Sequence, residues 1–453
     1  KQDISNVLYS FGSDYVDPDE TSSLVALITN PFRYIGLSSY TKVYKLHWTA
    51  KLSIFCFLLS CVLQMITLFT AKNDPDKLFE CFSVLSFCGM GVLKLHSLCK
   101  HHKGWLFLLT QISKLEYQQL QGKVTSHHEY QSIDDENINF SDYINVYTNK
   151  FKTASSILIK IYFFTCSLFI MSPFAEQILC KLVASMECVT YPHILPCWAP
   201  LDKVTFFGYL ITVWCECLAA AFCVSVHLAF DLIAFGVMMF VCGQFSLLRE
   251  YSSCIGGKGK KCNLSKKRDD RAHSRIKLCH DTNFVLVNSI AELNKLLVDI
   301  IGVYFFVATL TLCSVAVRLQ TVLMGPMQLV SLIQYMCATL TQLFLFCRYG
   351  DAVMNESSVG MGQGPYAAAT WCLSPHIRRD LAILAAEMMR PRHLRAGPFN
   401  NLDLPSFIQV FILLRINLLD IRFFFQVFIT SASGKPISSS VQQKCTKQLY
   451  NFL

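Results

Sequence analysis

Apolar residues in this chain are gathered into long blocks that are separated by short polar stretches. A helix needs about twenty mainly apolar residues to cross the hydrocarbon core of a bilayer. Blocks of about that length or more occur at seven places: Trp48–Thr70, Leu78–Leu98, Ala154–Phe174, Val204–Leu248, Ile276–Leu319, Met324–Phe346 and Leu404–Thr430. The pattern therefore predicts an all-α, polytopic membrane protein with seven transmembrane helices.

Two of the blocks are about twice as long as a single crossing requires. Val204–Leu248 is mainly apolar along its whole length, whereas Ile276–Leu319 begins with a more polar half that contains Asn288, Glu292 and Lys295. We predict that each block forms a spanning helix that continues out of the bilayer into water.

Composition supports a membrane protein and gives no indication of an enzyme. Of the 453 residues, 53% are hydrophobic and only 16% are charged, whereas soluble chains carry about 25% charged residues. The 21 cysteines are scattered through the apolar blocks without zinc-site spacing, so most are predicted to be small buried residues. The sequence contains no recognisable catalytic arrangement, and we predict no metal site and no cofactor.

The positions of Lys and Arg predict which side of the membrane each loop faces, because basic loops remain in the cytosol. With the N terminus inside, the cytosolic segments hold 26 Lys and Arg residues and the outer loops hold five. The opposite orientation reverses that ratio. We therefore predict an inverted topology with a cytosolic N terminus, which is the reverse of a G-protein-coupled receptor.

The spans and loops together predict five segments along the chain. They are a cytosolic N-terminal segment (1–47), a bundle of six spans with cytosolic helical extensions and a basic loop at 249–277 (48–347), a cytosolic anchor region (348–403), the seventh span (404–430) and a C-terminal tail (431–453).

Three stretches carry a resemblance to a known family. Residues 191–202 read YPHILPCWAPLD, a Pro-rich segment that ends in W-x-P-apolar-D, and residues 242–248 read CGQFSLL after Asp231. From residue 347 the chain contains, in order, C-x-x-G, E-S, Tyr366, Trp371, R-R-x-L, R-P-x-x-L-x-A-G-x-F and L-x-L-x-x-F. This ordered set resembles the insect odorant receptor family, in which similar motifs occur at comparable spacing.

The resemblance implies a ligand-tuning receptor, rather than the co-receptor, in a ligand-gated cation channel. Such receptors form heterotetramers with odorant co-receptor subunits in the plasma membrane of sensory-neuron dendrites, and the last helix of each subunit lines the pore. The implied partners are those subunits, the lipid bilayer and a small volatile ligand, with no nucleic acid. The anchor region is implied to carry most subunit contacts, and its candidate residues are Tyr366, Trp371, Arg378, Arg390 and Pro391.

The chain departs from the family after Phe407, where the family continues into a short helix and stops. Here the last apolar block is interrupted by Arg415, Asp420 and Arg422 and is followed by a polar tail. Our hypothesis is that residues from about Val410 derive from a read-through intron or a mis-spliced exon. A ring of Arg415 side chains would repel cations, so we expect the chain as written to form a poor pore.

An odorant pocket needs apolar and aromatic walls with few polar groups, and the family places it in the outer half of the bundle. Depth along each block selects the following candidate ligand-binding residues: Phe79, Phe82, Tyr162, Phe169, Phe206, Tyr209, Trp214, Glu216, Phe305 and Tyr335. Ordinary helix packing is the more frequent role for any one of these rings. Tyr and Trp are favoured because they can hydrogen-bond an alcohol, ester or ketone.

Ionisable side chains inside apolar blocks are costly and suggest a specific role. Glu216 is expected to meet Lys160 or a polar ligand, or to be a carboxylate buried for stability. Asp231 is near the expected cytosolic exit of its helix, and we predict that it helps the anchor region to fold.

Three cysteines are close to or within the loop that follows the third span. Cys188 and Cys197 flank a Pro-containing segment that can turn back on itself, and the outer compartment is oxidising. A disulfide between them is possible, with Cys180 as the alternative partner.

Two other receptor classes share part of this pattern. A gustatory receptor channel has the same fold and topology, and the run from Arg378 to Phe407 favours the odorant branch. A G-protein-coupled receptor requires an outside N terminus, and its D-R-Y and N-P-x-x-Y elements do not occur at the expected helix ends.

The charge asymmetry generates a direct test of topology. An epitope tag placed before Lys1 should be stained by antibody only after the cells are permeabilised, because the basic segments are retained in the cytosol. Staining of intact cells would contradict the inverted topology and favour the G-protein-coupled alternative.

Overall fold

The computed structural model describes residues 23–34, 48–70, 75–125, 140–183, 191–196, 206–256, 265–321, 326–358, 360–368, 370, 373–398, 400–410 and 412. The elements in this part of the chain are α1 (Ser23–Tyr34), α2 (Trp48–Thr70), α3 (Pro75–Lys100), α4 (His102–Thr125), α5 (Phe140–Val183), α6 (Phe206–Ser253), α7 (Lys266–Thr321), α8 (Pro326–Ser358), α9 (Gln363–Ala367), α10 (Pro375–Met388), β1 (Arg395–Ala396) and β2 (Asn400–Asn401). A further helix begins at residue 404 and is described to residue 410.

The described helices confirm the all-α, polytopic membrane fold. Within the described ranges, six helices are long and apolar enough to cross a bilayer, namely α2, α3, α5, α6, α7 and α8. They coincide with the first six predicted spans, except that residues 204, 205, 324 and 325 are outside the described residues. The seventh span is outside the described residues beyond its first turns, so the count of seven and the inverted topology stay predictions.

Helix α6 is the centre of the bundle. It contacts α1, α2, α3, α5, α7, α8 and α9. In its most apolar segment 83% of the residues are buried, compared with 22% in the corresponding segment of α2. A helix that is mainly apolar on all sides is stable in such a position because neighbours cover every face, and this accounts for the length of the apolar block from Val204 to Leu248.

The two over-long blocks each form one continuous helix. Helix α6 has 48 residues and α7 has 56, which correspond to about 72 Å and about 84 Å at the α-helical rise. A hydrocarbon core of about 30 Å therefore covers less than half of either helix. Helix α5 is also longer than its apolar block, because the polar residues from Phe140 onwards continue the same helix.

Helix α4 is not among the apolar blocks that the sequence analysis identifies. Its apolar side chains recur at helical spacing instead of forming a block, and Trp105, Leu108, Ile112 and Leu115 are all buried. This amphipathic helix packs on α7. A search for apolar blocks alone misses such a helix, whereas a search for helical periodicity finds it.

The anchor region attaches to α7 through a close approach of two glycines. A Cβ atom added to Gly302 would lie 2.7 Å from the Cα atom of Gly397, and Gly397 has a φ of +73°. The Gly397 N–H donates to the Val298 carbonyl at 2.9 Å, and the Arg395 N–H donates to Asn294 Oδ1 at 2.7 Å. The A-G element of the sequence is therefore explained by backbone contact with a helix.

The predicted subunit-contact residues that are described are exposed on this single chain. Tyr366 is 63% exposed, and Arg378, Arg390 and Pro391 are also exposed, while Trp371 is outside the described residues. These side chains are accessible to another subunit, and their role in assembly stays a prediction.

The glycine contact predicts a position-specific effect of alanine. Gly302→Ala should lower the free energy of unfolding by about 1–3 kcal/mol, because the new methyl group meets backbone atoms that cannot rotate away. Gly89→Ala in α3 is the matched control, since no atom lies within 4 Å of its added Cβ, and it should be neutral or stabilise by up to about 1 kcal/mol. Thermal unfolding of the two variants in detergent measures the difference, and equal midpoints would contradict the close approach.

Candidate functional site

A cavity of about 470 Å³ lies between the helices of the bundle. Its walls come from α3, α5, α6 and α8, with Arg318 from the end of α7 and with residues 192–195 of the segment that precedes α6. The wall is mainly apolar, and its aromatic members are Phe87, Tyr162, Phe169 and Tyr335. The positions of its residues along the helices divide the cavity into a mouth, a wall and a floor.

Residues 191–196 form a lid over the mouth, and α6 holds that lid in place. Glu216 accepts hydrogen bonds from the Ile194 N–H at 2.9 Å and the Leu195 N–H at 3.4 Å, and its other oxygen is 3.2 Å from His193 Nδ1. The Tyr209 hydroxyl donates to the Pro192 carbonyl at 2.9 Å. Glu216 and Tyr209 therefore act on the lid and are not part of the cavity wall.

The arrangement around Glu216 differs from the expectation that it pairs with Lys160. Lys160 is exposed on α5, whereas the Glu216 side chain is 3% exposed and faces the lid. The Glu216 carboxylate is satisfied by two backbone N–H groups of the lid. A comparison of side chains on neighbouring helices does not find backbone partners of this kind.

The mouth also contains charged groups. Arg318 donates to Glu80 Oε2 at 2.9 Å, which links the end of α7 to the start of α3. Glu176, Gln177 and Gln328 line the same end of the cavity. This end is therefore polar, in contrast to the wall below it.

The floor is built on a buried ion pair between Lys94 of α3 and Asp231 of α6. Lys94 Nζ is 2.7 Å from Asp231 Oδ1, and both side chains are 0% exposed. The other carboxylate oxygen, Oδ2, accepts from the Tyr162 hydroxyl at 2.6 Å and from Gln342 Nε2 at 2.6 Å. The Tyr304 hydroxyl completes the network by donating to Gln342 Oε1 at 2.9 Å.

Aromatic rings surround the ammonium group of Lys94. Its Nζ atom lies 5.3 Å from the ring centre of Phe230, 5.4 Å from that of Tyr304 and 5.8 Å from that of Phe346. A buried charge is tolerated when it has a counterion and further favourable contacts. The faces of aromatic rings attract cations at these distances. The rings and the carboxylate together account for a lysine inside an apolar helix.

The location of Asp231 corrects the prediction that it supports the anchor region. Its partners Lys94, Tyr162 and Gln342 lie in the bundle beneath the cavity, and none of them belongs to the anchor region at 348–403. Lys94 was not singled out in the sequence, although a lysine within an apolar block is the kind of residue that suggests a functional position.

The structure brings three of the ten candidate ligand-binding residues to the cavity, namely Tyr162, Phe169 and Tyr335. Phe206 and Trp214 are 65% and 66% exposed on the outer face of α6. Phe79, Phe82, Tyr209, Glu216 and Phe305 pack elsewhere among the helices. Several of these residues lie at the depth of the cavity along their helices. A side chain reaches the cavity only if it is also on the inward-facing side of its helix.

Phe87 is a wall residue that sequence reasoning missed. Its ring stacks on His227 with centroids 4.2 Å apart and meets Tyr335 edge-on at 6.0 Å. Phe82 and Phe79 lie about one and about two helical turns before Phe87 on α3. The prediction therefore selected the correct helix but not the face of it that lines the cavity.

Cys180 lines the cavity near the lid and is disulfide-bonded. Its partner is outside the described residues, as are Cys188 and Cys197. The bond involves Cys180, the alternative partner considered in the sequence analysis, and the pairing of Cys188 with Cys197 stays a prediction.

Comparison with known proteins gives a consistent result. A family model described as 7tm Odorant receptor matches residues 74–413. The insect olfactory receptor OR5 from Machilis hrabei is similar in structure, with a TM-score of 0.68 and 14% identity over 88% of this chain and 97% of that one. Its complex with eugenol gives a TM-score of 0.67 and 15% identity over 90% of this chain and 100% of that one. No curated protein matches the chain significantly.

Because Lys94 and Asp231 form a buried ion pair, we predict that removing one partner lowers the stability more than removing both. Lys94→Met should destabilise the protein by about 3–5 kcal/mol, because Asp231 is then a buried charge without its counterion. Adding Asp231→Asn to Lys94→Met should recover part of that loss, since the unpaired charge is removed. Thermal unfolding in detergent is the measurement.

Lys160→Met is the matched control for this pair. Lys160 is also a lysine in a spanning helix, but it is exposed, so its replacement should not lower stability. Equal losses from Lys94→Met and Lys160→Met would contradict a structural role for the ion pair.

Proposed function

The chain belongs to the 7tm odorant receptor family, and from this we propose that it is a ligand-tuning subunit of a ligand-gated cation channel that detects small, volatile, mostly apolar molecules. The observation that carries the proposal is the lidded cavity with an apolar wall and a polar floor. Its volume of about 470 Å³ is within the range of about 300–1,000 Å³ that is usual for small-molecule sites.

The chemistry of the wall supports ligands with few polar groups. Phe87, Phe169 and Tyr335 offer ring faces and edges, while Tyr162 lies where the wall meets the floor. We propose these four residues as ligand contacts. The olfactory receptor OR5 from Machilis hrabei has been solved in complex with eugenol, and its shared fold supports the idea that this chain also takes a small organic ligand.

The proposed assembly is a heterotetramer with co-receptor subunits in the plasma membrane of sensory-neuron dendrites. The exposed side chains of Tyr366, Arg378, Arg390 and Pro391 support a contact surface in the anchor region. Assembly through this region would leave the cavity within a single subunit.

Pore formation depends on residues beyond those that the structure describes. The family match ends at residue 413, and Arg415 follows within the last apolar block. We propose that the chain binds ligand through its bundle but contributes poorly to a cation pore, because a positive ring opposes cation entry.

The test is current recording from cells that express the chain with a co-receptor. A panel of volatile compounds should evoke a cation current, and replacing the segment after Phe407 with a family-like terminal helix should increase it. Absence of current from both forms with the co-receptor would contradict the channel proposal.

A cavity-filling variant tests whether the ligand occupies this cavity. Ala338→Phe places a ring into the wall, and the ligand concentration for half-maximal current should rise by about tenfold or more, since overpacking costs about 1–3 kcal/mol. Cys337→Phe is the matched control, because Cys337 is the preceding residue of α8 and is exposed. If both variants respond like the unmodified chain, the ligand site is elsewhere.

A further inference from the structure

The donors and acceptors on the cavity floor select among ligand classes. Resting on the function proposed above, we infer that this cavity takes compounds with a hydroxyl group, alcohols or phenols, and holds that group between Tyr162 and Gln342. Ethers, esters and ketones of the same size then bind more weakly. The inference follows from the hydrogen bonds that the floor residues already make.

Asp231 itself is fully buried behind the lining residues and offers nothing to a ligand. Its Oδ1 atom is bound by Lys94, and its Oδ2 atom is bound by both Tyr162 and Gln342. Lys94 also neutralises its charge, so the floor as a whole is neutral. A neutral polar group therefore suits this end of the cavity better than a carboxylate or an ammonium group, each of which would need its own counterion there.

After their hydrogen bonds to Asp231, Tyr162 has an acceptor available for a ligand and Gln342 has a donor. A phenol has one O–H, and that of Tyr162 is directed at Asp231, so only the lone pairs of its oxygen remain. An amide has two N–H bonds, and one of those on Gln342 is directed at Asp231 while its oxygen accepts from Tyr304. Within the described residues no partner is assigned to the second amide hydrogen.

These two groups are close enough to bind the same ligand atom. The Tyr162 oxygen and the Gln342 nitrogen are each 2.6 Å from the same carboxylate oxygen, so they cannot be further apart than twice that distance. A hydroxyl oxygen can donate its proton to Tyr162 and accept from Gln342. An ether or carbonyl oxygen can only accept, and it leaves the Tyr162 oxygen without a donor.

The cavity wall offers no equivalent pair among the Ser and Thr residues with assigned partners. Five of them donate to a carbonyl of their own helix, namely Ser83, Thr165, Ser331, Thr339 and Thr341. Ser172 donates to the Met327 carbonyl of α8. Their hydroxyl protons are therefore used, and only acceptor lone pairs remain. The mouth is charged, with Arg318 paired to Glu80 and with Arg318 Nε and Glu176 Oε2 without a hydrogen-bond partner in the described part of the chain. The floor is neutral, and we therefore place a ligand hydroxyl there.

The test uses two isomers with the same atoms, n-octanol and heptyl methyl ether. Binding to the purified full-length chain in detergent should favour octanol by about tenfold, which is near the upper end of the net value of one hydrogen bond. Tyr162→Phe and Gln342→Met should each reduce that preference to less than about threefold, because each removes one half of the pair. Equal affinity of the unmodified chain for the two isomers would overturn the inference, whatever the variants do.

Tyr349→Phe is the matched control for Tyr162→Phe. It removes a phenolic hydroxyl from α8, but Tyr349 packs on Phe235 and does not line the cavity, so the preference for octanol should stay within about twofold of the unmodified chain. A preference that is lost in Tyr349→Phe and kept in Tyr162→Phe would also overturn the inference. Because each measurement is a ratio within one variant, a general loss of stability does not imitate the expected result.

The same experiment separates this inference from the proposed function. If both isomers bind equally well, the cavity is a ligand site without hydroxyl selectivity, and only the inference is wrong. If neither isomer nor any other volatile compound binds, both are wrong. Selective binding, together with absence of current from both the unmodified chain and the form with a family-like terminal helix, would support the inference and contradict the channel proposal.

Discussion

The ion pair between Lys94 and Asp231 holds five helices in one register. Lys94 is on α3 and Asp231 on α6, and the network continues through Tyr162 of α5, Tyr304 of α7 and Gln342 of α8. Inside an apolar bundle each of these groups is costly unless all the others are in place. Sliding any one helix by a turn would leave a buried polar group without its partner, so the network restricts the bundle to one arrangement.

Helix α6 connects this network to the lid and to the anchor region. Glu216 holds the lid near one end of the helix, Asp231 forms the floor in the middle, and the final turns pack against α9. The cavity therefore lies between two sets of polar contacts that are made by one rigid element. Any movement of α6 along its axis would act on the lid and the floor together.

Sequence alone predicted the fold class and the first six spans, because hydrophobic blocks of membrane length have few other interpretations. Helix α4 was missed, since Trp105 and Leu108 belong to a periodic pattern and not to a block. The site was predicted less well: Tyr162, Phe169 and Tyr335 reach the cavity, whereas Phe206 and Trp214 face outwards. Which face of a helix turns inwards depends on contacts between distant segments, such as that between Lys94 and Asp231.

The separation of the ion pair along the chain also matters for how the protein is made. Lys94 and Asp231 are 137 residues apart, and synthesis at about 5–20 residues per second places their arrival on the order of ten seconds apart. During that interval α3 is in the membrane with a lysine whose counterion has not yet been translated. Lys94 lies close to the Lys100 end of this helix, so its long side chain can extend towards the nearer membrane interface in the meantime. The ammonium group therefore moves from a hydrated position to a buried one only when α6 arrives, and the ion pair forms as the bundle closes.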